Sequence, residues 1–146
     1  MSWSCLLLTN NSITGWIVEH NEANRRSVLV VEDEPGIAKV CMRTLTAEGF
    51  QLDIAENGEV ALEMWRGKNY DLCISDIRTP RMNGIELYRQ LETECPEAVN
   101  KFIFTTGDML NGNIKTFLEE TMRPCLPKPF APENLRAIVN MVLVAV

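Results

Sequence analysis

The chain has 146 residues, 46% of them apolar, which suits a single domain whose core buries well over half of the unfolded surface. Lys and Arg number 14 against 20 Asp and Glu, and a net charge of −6 speaks against a nucleic acid as direct partner. Five cysteines without a C-x-x-C pair, beside a single histidine, exclude a zinc site and read as free thiols of a reducing compartment.

Residues 1–26 stand apart from the rest. Trp16-Ile17-Val18 reads as a stray strand or part of a preceding module, and His20 to Arg26 as a polar linker, so 1–26 is taken as an N-terminal extension or linker. WSCLLL near the start lacks the basic leader of a signal peptide. From Ser27 a repeat begins. Val28-Leu29-Val30-Val31 is a buried strand by composition and length. Ile37, Val40, Cys41 and Leu45 then recur on one helix face, which Gly49 closes. Leu52 to Ala55 is a second strand, and Val60, Ala61, Met64 and Trp65 mark a second helix ended by Gly67. Leu72 to Ser75 is a third strand that runs into Asp76, followed by a helix on Ile85, Tyr88 and Leu91. Phe102 to Thr105 is a fourth strand, with Ile114, Phe117, Leu118 and Met122 spaced for a fourth helix. Cys125-Leu126 is a short fifth strand, and Leu135, Ile138, Val139 and Val142 make the last helix. That final apolar stretch, Ile138 to Val146, is interrupted by Asn140 and too short to span a bilayer, so no membrane span and a cytoplasmic location are expected. The methionines at 42, 64, 82, 109, 122 and 141 are expected in or filling the core.

Five strands alternating with five helices imply an α/β domain over residues 27–146, a doubly wound (βα)5 parallel sheet covered on both faces. Right-handed crossovers leave few topologies, and at this size the flavodoxin-like order 2-1-3-4-5 is the common one. Pro127 supports that order, since a proline in a strand belongs at a sheet edge.

Ligands of such sheets bind beyond the carboxyl ends of the strands. That edge collects Glu32, Asp33 and Glu34 after strand one, Asp76 after strand three, Thr106, Gly107 and Asp108 after strand four, and Lys128 after strand five. Converging carboxylates repel and raise one another's pKa. A hard divalent cation, Mg²⁺, relieves that and keeps water and phosphate oxygens as its other ligands. Asp33 and Asp76 would bind it directly, with Glu32 adjoining or acting through water. Asp76 is placed as a nucleophile able to form an aspartyl-phosphate. Lys128 and the Thr106 hydroxyl would add a positive point and a donor for phosphoryl oxygens. Pro127 and Pro129 flank Lys128 and restrict its backbone, and a lysine–proline bond is one that tolerates the cis form. Taken singly, Asp33 before Glu34-Pro35 also reads as a helix N-cap, and Thr106-Gly107 as a turn.

VLVVEDEP (28–35), ISDIRTPRMNG (74–84), FTTGD (104–108) and LPKPF (126–130), in this order and register, resemble the response-regulator receiver domain of two-component signalling. The resemblance implies that Glu32 and Asp33 form the acidic pair, Asp76 is the phosphoacceptor, Thr106 the switch hydroxyl and Lys128 the site lysine. It implies that the Arg78 backbone carbonyl completes the protein ligands to Mg²⁺. It further implies a phosphohistidine on a histidine kinase or phosphotransfer protein as donor, with an output partner not specified. Arg78 and Asp108 stand where the family tunes the lifetime of the phosphoryl group, and Cys125 stands where the family often has an aromatic ring. Two other readings compete: a degenerate receiver used only for docking, and an Asp-nucleophile phosphohydrolase. The latter often has an acid two residues after the nucleophile, where this chain has Arg78. No G-x-x-x-x-G-K or G-x-G-x-x-G is present for nucleotide binding.

Overall fold

The computed structural model describes residues 25–145, so Trp16-Ile17-Val18, Cys5 and His20 lie outside the described residues. Its elements run β1 (Ser27–Val31), α1 (Pro35–Ala47), β2 (Gln51–Ala55), α2 (Gly58–Gly67), β3 (Leu72–Asp76), α3 (Gly84–Glu94), a 3₁₀ turn (Pro96–Lys101), β4 (Phe102–Thr106), α4 (Gly112–Thr121), β5 (Cys125–Pro127) and α5 (Pro132–Ala145). All strand pairs are parallel and the order is β2-β1-β3-β4-β5, as expected, with Pro127 on the outer strand opposite Thr106. The 3₁₀ turn, opened by Pro96, is an element the hydrophobic periodicity did not show.

The period of two along the strands divides the core into two layers. Leu29, Val31, Cys73, Phe102 and Phe104 face one side, where they meet Ala61, Leu62 and Trp65 of α2, Leu87, Tyr88 and Leu91 of α3, and Phe117 of α4. Val28, Val30, Leu72, Ile74 and Ile103 face the other, against Cys41 and Leu45 of α1 and Leu135, Val139 and Val142 of α5. Each large side chain buried this way contributes about 1.5–3 kcal/mol of transfer free energy. The first layer is aromatic: Tyr88 meets Phe102 and Phe117 edge-on at 5.3 Å between centroids, and Phe104 meets Phe117 at 5.2 Å.

Helix ends follow local chemistry. Pro35 opens α1 in its first turn, and Gly49, at φ 96°, takes the left-handed position just past its end. Asn57, Asn83 and Asn111 cap α2, α3 and α4 through their side chains, Asn83 in a reciprocal box with Glu86. The N-cap of α1 is Glu34 rather than Asp33. Three expectations need correcting. Helix α4 stops at Thr121, and Met122 takes a left-handed conformation (φ 59°) with 81% of its surface exposed. Pro124 is the physical reason, since Arg123 before it is pushed out of helical space. Met109 and Met141 are exposed too, leaving Met42, Met64 and Met82 as the half-buried ones. On α2 the buried face is Ala61, Leu62 and Trp65, with Val60 turned outwards.

Candidate functional site

Strand β1 delivers Glu32 just beyond its end, where the Glu32 N–H donates to the Ala55 carbonyl (2.9 Å). The Glu34 N–H donates to Glu32 Oε2 (3.2 Å), fixing the carboxylate inward. Asp76 is the last residue of β3. The chain after it is held tightly: Ile77 N–H donates to Thr105 O, Gly84 N–H to Ile77 O, and Thr79 Oγ1 to Met82 O (2.7 Å). Gly84 allows this closeness, because a Cβ there would lie 2.5 Å from the Asp76 carbonyl oxygen. On the far side, the Lys128 N–H donates to Thr106 O (2.8 Å), and the Lys128–Pro129 peptide is cis.

These supports bring four of the predicted side chains together. Carboxylate oxygens of Glu32, Asp33 and Asp76 lie within 4.8 Å of one another. Lys128 Nζ sits among them, 2.8 Å from Asp76 Oδ2 and 2.9 Å from Glu32 Oε1. The side chains of Lys128, Asp76 and Glu32 are only 11%, 7% and 2% exposed. Glu34, which the sequence reading placed at this edge without a role, also reaches Lys128 Nζ at 3.2 Å. Asp33 is exposed and takes part in no hydrogen bond or ion pair within the described residues.

One ammonium thus bonds three carboxylates, with a fourth, Asp33, beside two of them. Burial raises Glu32 to about 6, with Lys128 opposing and the Asp76 charge adding to the rise. For Lys128, burial pulls downwards, but its bonds to Asp76 and Glu32 outweigh it and hold the ammonium above the ordinary lysine range. A cluster of hard oxygen donors with uncompensated negative charge, open to solvent at Asp33, fits a Mg²⁺ ion that keeps part of its water shell.

Thr106 ends β4, fully buried, with its hydroxyl accepting the Asp108 N–H (3.0 Å) rather than bonding Asp76. The Arg78 N–H donates to Asp76 Oδ1 (3.2 Å). Its guanidinium donates to Asp108 Oδ2 at 2.7 Å, a pairing absent from the sequence reading. A signal for it existed: both residues stand two positions past the ends of neighbouring strands, β3 and β4. Cys125, on β5, is half-buried, and its thiol lies 3.8 Å from Met109 Sδ. Burial, with the charge of Asp76 adding to it, pushes this thiol up to about 11.

Comparison with known proteins gives a consistent picture. Residues 28–140 match the family model described as the response regulator receiver domain. Among curated relatives, the response regulator ArlR of Staphylococcus epidermidis is 34% identical over 119 residues, covering 80% of this chain and 52% of that protein. The response regulator MprA of Mycobacterium ulcerans is 30% identical over 116 residues, covering 80% and 49%. The chain therefore spans about half the length of the curated relatives it matches. Among solved structures, the chemotaxis protein CheY4 of Vibrio cholerae superimposes with a TM-score of 0.73 at 26% identity, covering 82% of this chain and 99% of that one. The response regulator TrrA of Thermotoga maritima, solved with Mg²⁺ and BeF, gives 0.70 at 32% identity, covering 81% and 99%.

Proposed function

The chain belongs to the response regulator receiver domain family, and on that premise we propose that it is a cytoplasmic phosphoacceptor switch of a two-component phosphorelay. Asp76 takes the phosphoryl group, and residues 27–146 form the switching unit. The observation that carries this reading is the convergence of the Glu32, Asp33 and Asp76 oxygens within 4.8 Å of one another, with the Lys128 ammonium bonded to Glu32 and Asp76.

A carboxylate oxygen of Asp76 attacks phosphorus of a phosphohistidine on a histidine kinase or phosphotransfer protein. The P–N bond breaks as the P–O bond forms, and the departing imidazole takes up a proton. Glu32, Asp33, Asp76 and the Arg78 backbone carbonyl would hold Mg²⁺, which supplies positive charge to phosphoryl oxygens when bound. Lys128, already 2.8 Å from Asp76, gives those oxygens a second positive partner. Thr106 turns its hydroxyl from Asp108 to donate to a third oxygen, and this rearrangement biases a two-state equilibrium that a partner reads. The residue two after Asp76 is an arginine engaged with Asp108, so the site lacks the acid a phosphohydrolase would use there.

The test is the intact mass after incubation with acetyl phosphate and Mg²⁺. Wild type should gain one phosphoryl group, and Asp76→Asn or added chelator should abolish the gain. A folded wild type that gains nothing from acetyl phosphate or from any phosphohistidine donor would leave only the docking-module reading.

A further inference from the structure

The second core layer is left open at the amino ends of the strands. Helix α1 closes there, with the Gly49 N–H donating to Thr46 O (3.0 Å) and the Phe50 N–H to Leu45 O (3.0 Å). Phe50 and Leu143 of α5 pack against that layer, yet both stay half-buried, and Val144 beside them is 87% exposed. These three form the apolar lining of a groove of about 520 Å³ between the end of α1 and the last turns of α5. The Gln51 N–H donates to Arg26 O (2.8 Å) and so holds the incoming chain at the rim, where Arg25 and Arg26 line the groove as well. Residues 1–24 lie outside the described ones, and their apolar run nearest to Arg25 is Trp16-Ile17-Val18.

We propose that this groove is the docking site of Trp16-Ile17-Val18 of the same chain. Residues 19–24 join that run to the rim, and six extended residues reach about 20 Å. Arg25 itself lines the groove, so the chain has only to turn back on itself to enter. A flexible link this short gives an effective concentration on the order of millimolar. A contact too weak to hold two separate molecules together is therefore well occupied within one chain. Tryptophan supplies the largest apolar area of any side chain, and arginine stacks on its ring. The rim offers two arginines against one acidic residue, Glu48, while the link carries Glu19 and Glu22. Leu6-Leu7-Leu8, the other apolar run, stands farther from the rim. The groove lies at the edge opposite Asp76, so docking ties the residues before Arg25 to the domain without entering the phosphoryl chemistry. The proposal is independent of the phosphoacceptor reading.

The experiment is maleimide labelling of full-chain Val144→Cys, followed by peptide mapping that separates position 144 from the native cysteines at 5, 41, 73, 95 and 125. Labelling should be severalfold slower than in the same chain carrying Trp16→Ala or Ile17→Asp, and equally slow at every protein concentration. Leu7→Ser should leave it slow. Trp16 and Ile17 precede β1, and the five-stranded sheet and both core layers are complete without them, so these changes spare the fold. Asn140→Cys, one turn earlier in α5 and lining the same groove, is a second reporter should Val144→Cys fray the helix end. Equal rates with and without Trp16 and Ile17, at both reporters, overturn the proposal. Protection that disappears on dilution also overturns it, and assigns the groove to a second copy of the chain. Protection lost in Leu7→Ser but kept in Trp16→Ala overturns it in favour of the more distant run.

Discussion

The two ends of the sheet use charge in opposite ways. At the amino ends of the strands, and along β2 beside them, several ionised groups each have their own partner. The Asp71 carboxylate accepts the Ser27 N–H (2.8 Å), Lys101 Nζ donates to Tyr70 O, and the Arg123 guanidinium donates to the carbonyls of Phe102 and Asn100. Asp53 accepts from both Tyr70 Oη (2.6 Å) and Lys68 Nζ (3.0 Å). At the carboxyl ends, among the described residues, Lys128 alone serves three carboxylates and a fourth, Asp33, has no partner. A fold gains nothing from packing like charges together, so the second pattern supports the proposed cation and phosphoryl site.

The largest expected effect falls on the pivot of the unbalanced end. Lys128→Met removes what is, among the described residues, the only ammonium bonded to buried Glu32 and Asp76. Breaking a buried pair from one side costs about 3–5 kcal/mol. Urea denaturation in chelator should place the loss near the lower figure, because Glu34 and Asp33 are open to water. A loss under about 1 kcal/mol, the range of a surface pair, would break the contrast between the two ends.

Next comes the balanced end. Asp53→Ala leaves the buried Tyr70 hydroxyl without its acceptor, at a cost of about 1–3 kcal/mol at pH 7. The Tyr70 hydrogen bond, against burial and with help from Lys68, holds the Asp53 carboxyl below its ordinary range. A group whose folded pKa is depressed stabilises above its unfolded pKa, about 3.9, and loses that contribution as pH falls through the folded value. The gap between wild type and variant should therefore be full at pH 7 and begin to narrow below about pH 4. A gap constant with pH would assign it to packing alone.

Much of this contrast was legible in the sequence, and the unread part has a physical pattern. Strands and sheet order follow from β-branched runs and one edge proline. The site follows because parallel strands must deliver their carboxyl ends to one edge, so Glu32, Asp33, Asp76, Thr106 and Lys128 could be placed together without knowing a distance. What escaped was lateral geometry. Glu34 reaches Lys128 only because the turn into α1 folds back over Glu32, and Arg78 finds Asp108 only through strand adjacency. Met122 escaped because spacing alone carried α4 one residue past its end, and the backbone restriction from Pro124 decided otherwise.

The smallest expected effect is the sharpest, because its sign is opposite. Asp33→Asn removes a carboxylate that has no partner of its own and lies within 4.8 Å of two others. Two like charges at that range repel by about 1 kcal/mol in a water-like medium and more in a less polar one. In chelator the variant should be more stable than wild type by about 0.5–1 kcal/mol, whereas Asp53→Ala should be less stable. Added Mg²⁺ should reverse the order. Binding stabilises wild type by RT ln(1 + [L]/Kd), about 1.4 kcal/mol at ten times Kd, and the variant by less because a ligand is gone. Thermal denaturation of both proteins across a Mg²⁺ series reads both signs at once. If Asp33→Asn lowers the midpoint in chelator, the carboxylate is structural and the charge excess at this end has no energetic cost. If its midpoint rises with Mg²⁺ as steeply as that of wild type, Asp33 is not a ligand, and the cation would have to be held by Glu32, Asp76 and the Arg78 carbonyl without it.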